Sequence, residues 1–227
     1  MAVSLHMTPV PQAPEPQTPE ITIRAALQAP AHAYLARLAA LHDEAAETAY
    51  LANLLGQAPW AAGLLGGAAL VTAVVSAQSA SSVALGVWVV LVAVAVAAIG
   101  RTYARAIEAP FDRAMLKGFA RSLSAILLYA GAAWGAGVFL VLSPSAGPVG
   151  AIAFTATVSA LLAGILRTRD LALCFVVPAT AMGAFCALMR DADLASMSGI
   201  LAGGLAVAAA TILLERLTAP ISHAQHG

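Results

Sequence analysis

The stretch that decides the fold is ALGVWVVLVAVAVAAIG, residues 84–100. It holds no charged residue, and about 17–25 apolar residues are enough to cross a bilayer as a helix. In lipid, each segment must satisfy its own backbone hydrogen bonds, so a helix is expected despite the valines. The strands of a membrane barrel would alternate polar and apolar residues, and no such alternation is present.

Similar apolar runs lie on both sides of this stretch. We predict six spans, with short loops between the members of each pair: 59–76, 82–99, 122–142, 149–166, 171–189 and 197–214. The fold class is therefore all-α: a polytopic membrane protein with a six-transmembrane-helix bundle arranged as three hairpins.

The composition agrees with this fold class. The 227 residues are 61% hydrophobic and only 10% charged, whereas soluble domains have about 25% charged residues. Basic and acidic residues balance at 11 each. The chain is thus neither a soluble globule nor a nucleic-acid-binding protein, and the lipid bilayer is its first expected partner.

Positive charge predicts the orientation of the spans. All basic residues except Arg190 lie in the tails or in the two connections on one side of the bundle. Cytoplasmic loops carry the excess of Lys and Arg, so both termini are expected in the cytoplasm. The connections contribute seven topology-determining residues: Arg101, Arg105, Arg113, Lys117, Arg121, Arg167 and Arg169.

The regions around the spans are expected to be simple. Residues 1–29 are rich in proline and predict a disordered cytoplasmic arm. Apolar residues recur at helical spacing over 30–57, which predicts an amphipathic cytoplasmic helix. The six-helix transmembrane domain is assigned to 58–216, and 217–227 form a short cytoplasmic tail.

The connection 101–121 has a stripe of apolar residues opposite its basic residues, and Pro110 is expected to break or kink it. One interpretation is a cytoplasmic lever that transmits movement from the second span to the third. The alternative is a topology anchor at anionic headgroups. The apolar stripe consists of Tyr103, Ile107, Phe111, Met115 and Phe119.

Catalytic chemistry is not expected. No span interior holds an acidic, basic or histidine residue, and no His/Cys set has the spacing of a metal site. We predict no catalytic residue, no metal and no cofactor. Proton relays and voltage sensors need ionisable groups inside spans, so those classes are disfavoured.

Three residues inside the spans are candidates for a ligand pocket or for gating: Tyr129, Trp134 and Pro178. Trp134 lies mid-span, and its indole N–H needs an acceptor when buried; Thr155, Thr157 and Ser159 are expected to supply it. The alternatives are core packing for the aromatic residues and static helix shaping for Pro178.

Two glycine pairs are candidates for close helix packing: Gly131 with Gly135, and Gly199 with Gly203. Glycines four residues apart let another backbone approach closely. Each pair can face a helix of the same chain or of a second chain, and the intramolecular contact is the simpler interpretation.

Four short motifs carry a family resemblance: RTYARA at 101–106, AAWG at 132–135, SALLAGIL at 159–166 and VVPATAMGAF at 176–185. Over about 50–216, the chain resembles the six-helix membrane input region of bacterial diguanylate cyclases and sensor histidine kinases. The resemblance implies a homodimeric receptor-like bundle in the bacterial inner membrane.

The chain departs from that family in its C-terminal region. Only ERLTAPISHAQHG follows Leu214, and neither a Gly-Gly-Asp-Glu-Phe signature nor a kinase histidine box is present. The resemblance therefore implies a receptor without its own enzyme. Such a receptor would signal through an output domain that has been removed, or through a cytoplasmic signalling protein.

Three functions remain open from the sequence. The first is a membrane sensor or signal-input module that acts by bundle rearrangement. The second is a small carrier or channel component, and the third is a structural subunit of a membrane complex.

Overall fold

The computed structural model describes Arg37, Ala39 and residues 41–109, 113–143, 146–166, 168–189 and 194–218. Contacts divide the chain into two units, residues 1–47 and 48–227. In the first unit, the described residues are helical. The expected proline-rich arm, and the part of the amphipathic helix before Arg37, lie outside the described residues.

The second unit begins with a helical segment, 48–56, that ends in a turn at Gln57. Its Leu51, Leu54 and Leu55 are buried in the main apolar cluster. The apolar repeat that predicted an amphipathic helix consists of Leu35, Leu38, Leu41, Ala45, Thr48, Leu51 and Leu55. Leu54 extends the buried face beyond that repeat.

Six long helices follow, and the described residues contain no strand. Each is long and apolar enough to cross a membrane, so the all-α fold with six candidate spans is confirmed. The helices are α1 (Ala58–Ser76), α2 (Ser82–Glu108), α3 (Arg113–Leu140), α4 (Gly147–Leu166), α5 (Arg169–Met189) and α6 (Leu194–Thr218).

The helices α2 and α3 are longer than the spans that the apolar runs predict. They include most of the connection 101–121, which is therefore not a separate element. Helix α2 ends at Glu108, after which Ala109 has an extended backbone, and α3 begins at Arg113. Pro110, which was expected to break or kink the helix, lies outside the described residues. Within the stripe, Tyr103 and Phe119 pack against the core, whereas Ile107 and Met115 are exposed.

The packing order of the helices differs from three equal hairpins. The pairs α1–α2 and α5–α6 pack as antiparallel neighbours, but α3 packs chiefly against α5 and very little against α4. Helix α4 packs instead against α6 and α5. The three-hairpin arrangement is thus not confirmed, because α3 and α4, the expected middle hairpin, pack mainly against other helices and not against each other.

Described basic side chains lie at one end of the bundle, which we call the basic end. This end comprises the C-termini of α2, α4 and α6 and the N-termini of α1, α3 and α5, because successive helices run in opposite directions. The described basic residues there are Arg101, Arg105, Lys117, Arg121, Arg169 and Arg216. Arg167 and Arg190 lie outside the described residues, as does the side chain of Arg113.

Candidate functional site

Three aromatic rings from three helices pack together inside the bundle, nearer to the end opposite the basic end. Trp88 of α2 and Trp134 of α3 are almost fully buried, with 0% and 1% of their surface exposed. The Trp134 ring stacks on Phe154 of α4 at a centroid distance of 4.8 Å, and Trp88 meets Trp134 edge-on at 5.3 Å. Through these ring contacts, α2, α3 and α4 pack against one another.

Both indole N–H groups of this cluster donate to main-chain carbonyls. Trp134 Nε1 lies 3.0 Å from the Phe154 oxygen, and Trp88 Nε1 lies 3.1 Å from the Ala133 oxygen. The predicted hydroxyl acceptors for Trp134 were wrong, although they lie on the correct helix. The Thr155 hydroxyl instead donates to carbonyls of its own helix, at Ala151 and Ile152.

Gly137 makes room for this cluster. A Cβ atom at this position would lie 2.7 Å from both the Phe154 ring and Trp88 Nε1. Real Cβ atoms do not approach other atoms so closely, so only glycine fits here without a shift of the rings. Trp88, Phe154 and Gly137 were not among the candidate residues predicted from the sequence. A mid-span tryptophan was the available signal for Trp88, as it was for Trp134.

The first glycine pair lies at the most extensive helix contact of the described bundle, between α3 and α5. A Cβ at Gly131 would collide with the carbonyl of Phe175 and lie 2.9 Å from the Pro178 ring. A Cβ at Gly135 would lie 2.5 Å from the Ala179 oxygen. Since both contacts advance in the same direction along α3 and α5, these two helices are parallel, and both glycines face the same chain.

The second glycine pair lies where α6 meets α4. A Cβ at Gly199 would collide with the Ile152 side chain, and one at Gly203 would lie 3.8 Å from the Ala156 Cβ. The next residue, Gly204, faces α5, where a Cβ would collide with Thr180. The hydroxyl of Thr180 is 2.7 Å from the Val176 carbonyl, to which it donates. Small residues thus place α6 against two neighbours.

The three candidate pocket residues do not meet in one place. Trp134 contributes to a groove between α1 and α4, whereas Tyr129 does not line that groove and is 39% exposed. Pro178 is inside α5 and packs on Gly131 of α3. The structure therefore places Pro178 beside Gly131 at the α3–α5 contact and not in the aromatic cluster.

The contacts described within the bundle are apolar packing and hydrogen bonds. No group of three or more His, Cys, Asp or Glu side chains within the described ranges could hold a metal ion. The two cysteines, Cys174 and Cys186, are free thiols in α5. Ser159 is 1% exposed, and its hydroxyl has no hydrogen-bond partner among the described residues.

Comparisons with known proteins found no relative of this chain. No protein-family model, no curated protein and no solved structure matches it. The fold and the site define a multi-pass membrane protein with six candidate spans, which pack through an aromatic cluster and glycine-mediated helix contacts.

Proposed function

We propose that this chain is a signal-input module of the bacterial inner membrane, with both termini in the cytoplasm and no catalytic site of its own. In this proposal it acts as a homodimer, and it passes its signal to a cytoplasmic protein or to an output domain. The six apolar helices, the one-sided basic residues and the family resemblance support this assignment.

The observation that carries the proposal is the length and position of α3. This helix has 28 residues, which corresponds to about 42 Å, whereas the hydrocarbon core is about 30 Å thick. The last third of α3 contacts α5 through Gly131 and Gly135, and its basic end carries Lys117 and Arg121. A displacement of α3 in the core must therefore move its basic end as well.

In this proposal, Pro178 is the position at which α5 can change its bend and so alter its contact with α3. Proline has no N–H, so α5 lacks one internal hydrogen bond at this residue, and such positions in membrane helices are where kinks occur. The Pro178 ring packs where Gly131 lets α3 approach. A stimulus that favours a different bend of α5 would shift α3 along or around this contact.

The lever is tested by distance measurements at the basic end. Spin labels at the exposed Ala104 of α2 and Ala114 of α3 are introduced as cysteines in a Cys174→Ala/Cys186→Ala background. We expect Gly131→Leu to change the measured distance distribution, because it separates α3 from α5. The matched control is Gly86→Leu, since a Cβ at Gly86 meets no atom within 4 Å. Identical distributions in both variants would contradict a lever.

The signalling role is tested in the same membranes by photo-crosslinking. A crosslinker at Ala104 should trap a cytoplasmic protein or a second copy, with a yield that Gly131→Leu changes and Gly86→Leu does not. A crosslinker at Val83, at the opposite end of α2, should trap neither. If no crosslink forms, and saturable solute movement in liposomes is lost in Trp134→Ala, the carrier function replaces the sensor function.

The proposed orientation has its own test. Ser81 lies in the α1–α2 loop at the end opposite the basic end, and it is exposed. A membrane-impermeant maleimide should label Ser81→Cys in intact spheroplasts, and should label Ala104→Cys only after permeabilisation. The reverse pattern would overturn the cytoplasmic placement of the basic end and of both termini.

A further inference from the structure

One turn of α5, from Val176 to Thr180, lies between α3 and α6. On one side, the Pro178 ring packs where Gly131 lets α3 approach. On the other side, the Thr180 side chain packs at Gly204 of α6, where a Cβ would collide with the Cβ, Oγ1 and Cγ2 atoms of Thr180. Residues two apart lie about 200° around a helix. This turn of α5 therefore contacts α3 and α6 on opposite sides, at one level of the bundle.

The two helices on either side of this turn make almost no contact with each other. Among the described helices, only α5 packs extensively against both α3 and α6. The N-terminus of α3 and the C-terminus of α6 both lie at the basic end. A movement shared by these two ends must therefore be carried chiefly by α5.

The backbone of this turn departs from a regular helix at two residues. Pro178 has no N–H, so the Cys174 carbonyl does not receive the helix bond that residue 178 would otherwise donate. The Thr180 hydroxyl donates to the Val176 carbonyl at 2.7 Å, and such bonds to the preceding turn often bend a helix. Because one backbone bond is already missing here, α5 can change its bend at this turn without breaking another.

Thr180 connects the bend of α5 to α6. Its hydroxyl bonds to the Val176 carbonyl on the other side of Pro178, while its side chain fills the space at Gly204. In helices, threonine populates two rotamers, because Oγ1 can bond to carbonyls three or four residues earlier. A bend that moves the Val176 carbonyl away favours the other rotamer, so a different atom of Thr180 then faces Gly204. Since this contact has no spare room, α6 must shift.

We propose that the turn from Val176 to Thr180 is a joint that couples α3 to α6. The inference rests on the bend of α5 in the proposed function. One change of bend displaces both helices: it reaches α3 through Pro178 and Gly131, and α6 through Thr180 and Gly204. The change thus arrives at the basic end at two places, the N-terminus of α3 and the C-terminus of α6.

Distances between spin labels test this joint. In the background without native cysteines, labels at Ala104 and Ala114 report on α3, and labels at Ala104 and Leu213 report on α6; all three residues are exposed. Gly204→Ala places a methyl group against Thr180. We expect this variant to shift both mean distances by about 1–2 Å, the size of helix shifts in switching proteins, although Gly204 lies on α6 and the first distance reports on α3.

The matched control is Gly203→Ala, which adds the same methyl group to the neighbouring residue of α6. A Cβ at Gly203 would face α4, at ordinary contact distances of 3.6 Å from Ile152 and 3.8 Å from Ala156. This variant should leave both distances unchanged, and circular dichroism checks that both variants fold. A shift of the α6 distance alone in Gly204→Ala would overturn the joint, and so would equal effects of the two variants.

A second variant tests the hydroxyl of Thr180 without adding an atom at Gly204. Thr180→Val keeps the branched shape that packs on Gly204, but it cannot donate to the Val176 carbonyl. We expect both distances to change together, because the bend of α5 loses this hydrogen bond. Unchanged distances would overturn the role of Thr180.

The joint and the proposed function fail in different ways. Coupling acts in both directions, so Gly131→Leu, the variant of the lever test, should shift the α6 distance as well as the α3 distance. If it shifts the α3 distance alone, the joint is excluded and the lever remains. If both distances shift and no crosslink forms at Ala104, the joint is supported and the signalling role is excluded.

Discussion

Trp134 of α3 contacts Phe154 of α4 in two ways at once. Their rings stack at 4.8 Å with only 9° between their planes, and Trp134 Nε1 donates to the Phe154 carbonyl at 3.0 Å. Helices α3 and α4 otherwise pack very little against each other. This pair of residues is therefore a principal link between two helices that are consecutive in the chain.

Loss of the Trp134 ring should destabilise the bundle. Trp134→Ala removes the stacked ring and leaves a cavity among Trp88, Phe154 and Gly137, with an expected loss of about 3 kcal/mol in the free energy of unfolding. Thermal unfolding in detergent, followed by circular dichroism, measures the change. The control is Trp60→Ala, which removes a side chain that is 72% exposed and should change stability much less.

The α3–α5 contact should not tolerate even one additional methyl group at Gly135. In Gly135→Ala the new Cβ would lie 2.5 Å from the Ala179 oxygen and 2.8 Å from the Gly183 nitrogen. Because backbone atoms must then shift, we expect a loss of about 1–3 kcal/mol by thermal unfolding. Gly86→Ala adds the same methyl group where no atom lies within 4 Å. It should be neutral or stabilising by up to about 1 kcal/mol, since alanine is the better helix former.

Helices α4 and α6 run parallel and lie close enough that an engineered disulfide should join them. A Cβ at Gly203 would lie 3.8 Å from the Ala156 Cβ, at the mean Cβ–Cβ separation of about 3.8 Å in disulfides. Ala156→Cys/Gly203→Cys, in the Cys174→Ala/Cys186→Ala background, should close on mild oxidation. Loss of thiols that react with a polyethylene-glycol maleimide reports the closure on a gel.

A displaced pair serves as the control for that disulfide. Ala163 is two turns further along α4, about 10 Å from Ala156, so Ala163→Cys/Gly203→Cys should keep both thiols reactive. If the displaced pair closes and the predicted pair does not, the register of α4 against α6 differs from the one described.

Removal of the Ser159 hydroxyl should stabilise the protein. This hydroxyl is buried without a partner among the described residues, and Ser159→Ala should raise the free energy of unfolding by about 1 kcal/mol. Ser124 provides the contrast, because its hydroxyl donates to the Ala120 carbonyl at 3.0 Å. Ser124→Ala should lower stability by about 0.5 kcal/mol in the same thermal assay. Equal effects of the two substitutions would show that Ser159 does have a partner.

Part of the candidate site could be predicted because its residues are unusual for their positions. A tryptophan in mid-span and glycines four residues apart both stand out in an apolar run, and Trp134, Gly131 and Gly135 all lie at close helix contacts. The partners of these residues could not be predicted. Phe154 and Phe175 are ordinary apolar residues of their spans, and the acceptor for Trp134 is a backbone carbonyl, which every residue has.

The sequence by itself determined that six helices form and where they lie along the chain. The run of apolar residues around 84–100 must bond its own backbone in lipid, and this requirement is local. The lengths of α2 and α3 were underestimated, because helices that continue past the apolar runs leave no hydropathy signal for their ends.

Only the tertiary structure decided which helices are neighbours. Lipid is as apolar as the helix faces, so hydrophobicity does not select one partner over another, and shape does. Gly131 and Gly135 fit the backbone of α5, so α3 packs against α5 rather than against α4, the helix that follows it in the chain. The same selection by shape leaves α1 and α4 loosely apposed, with a groove between them.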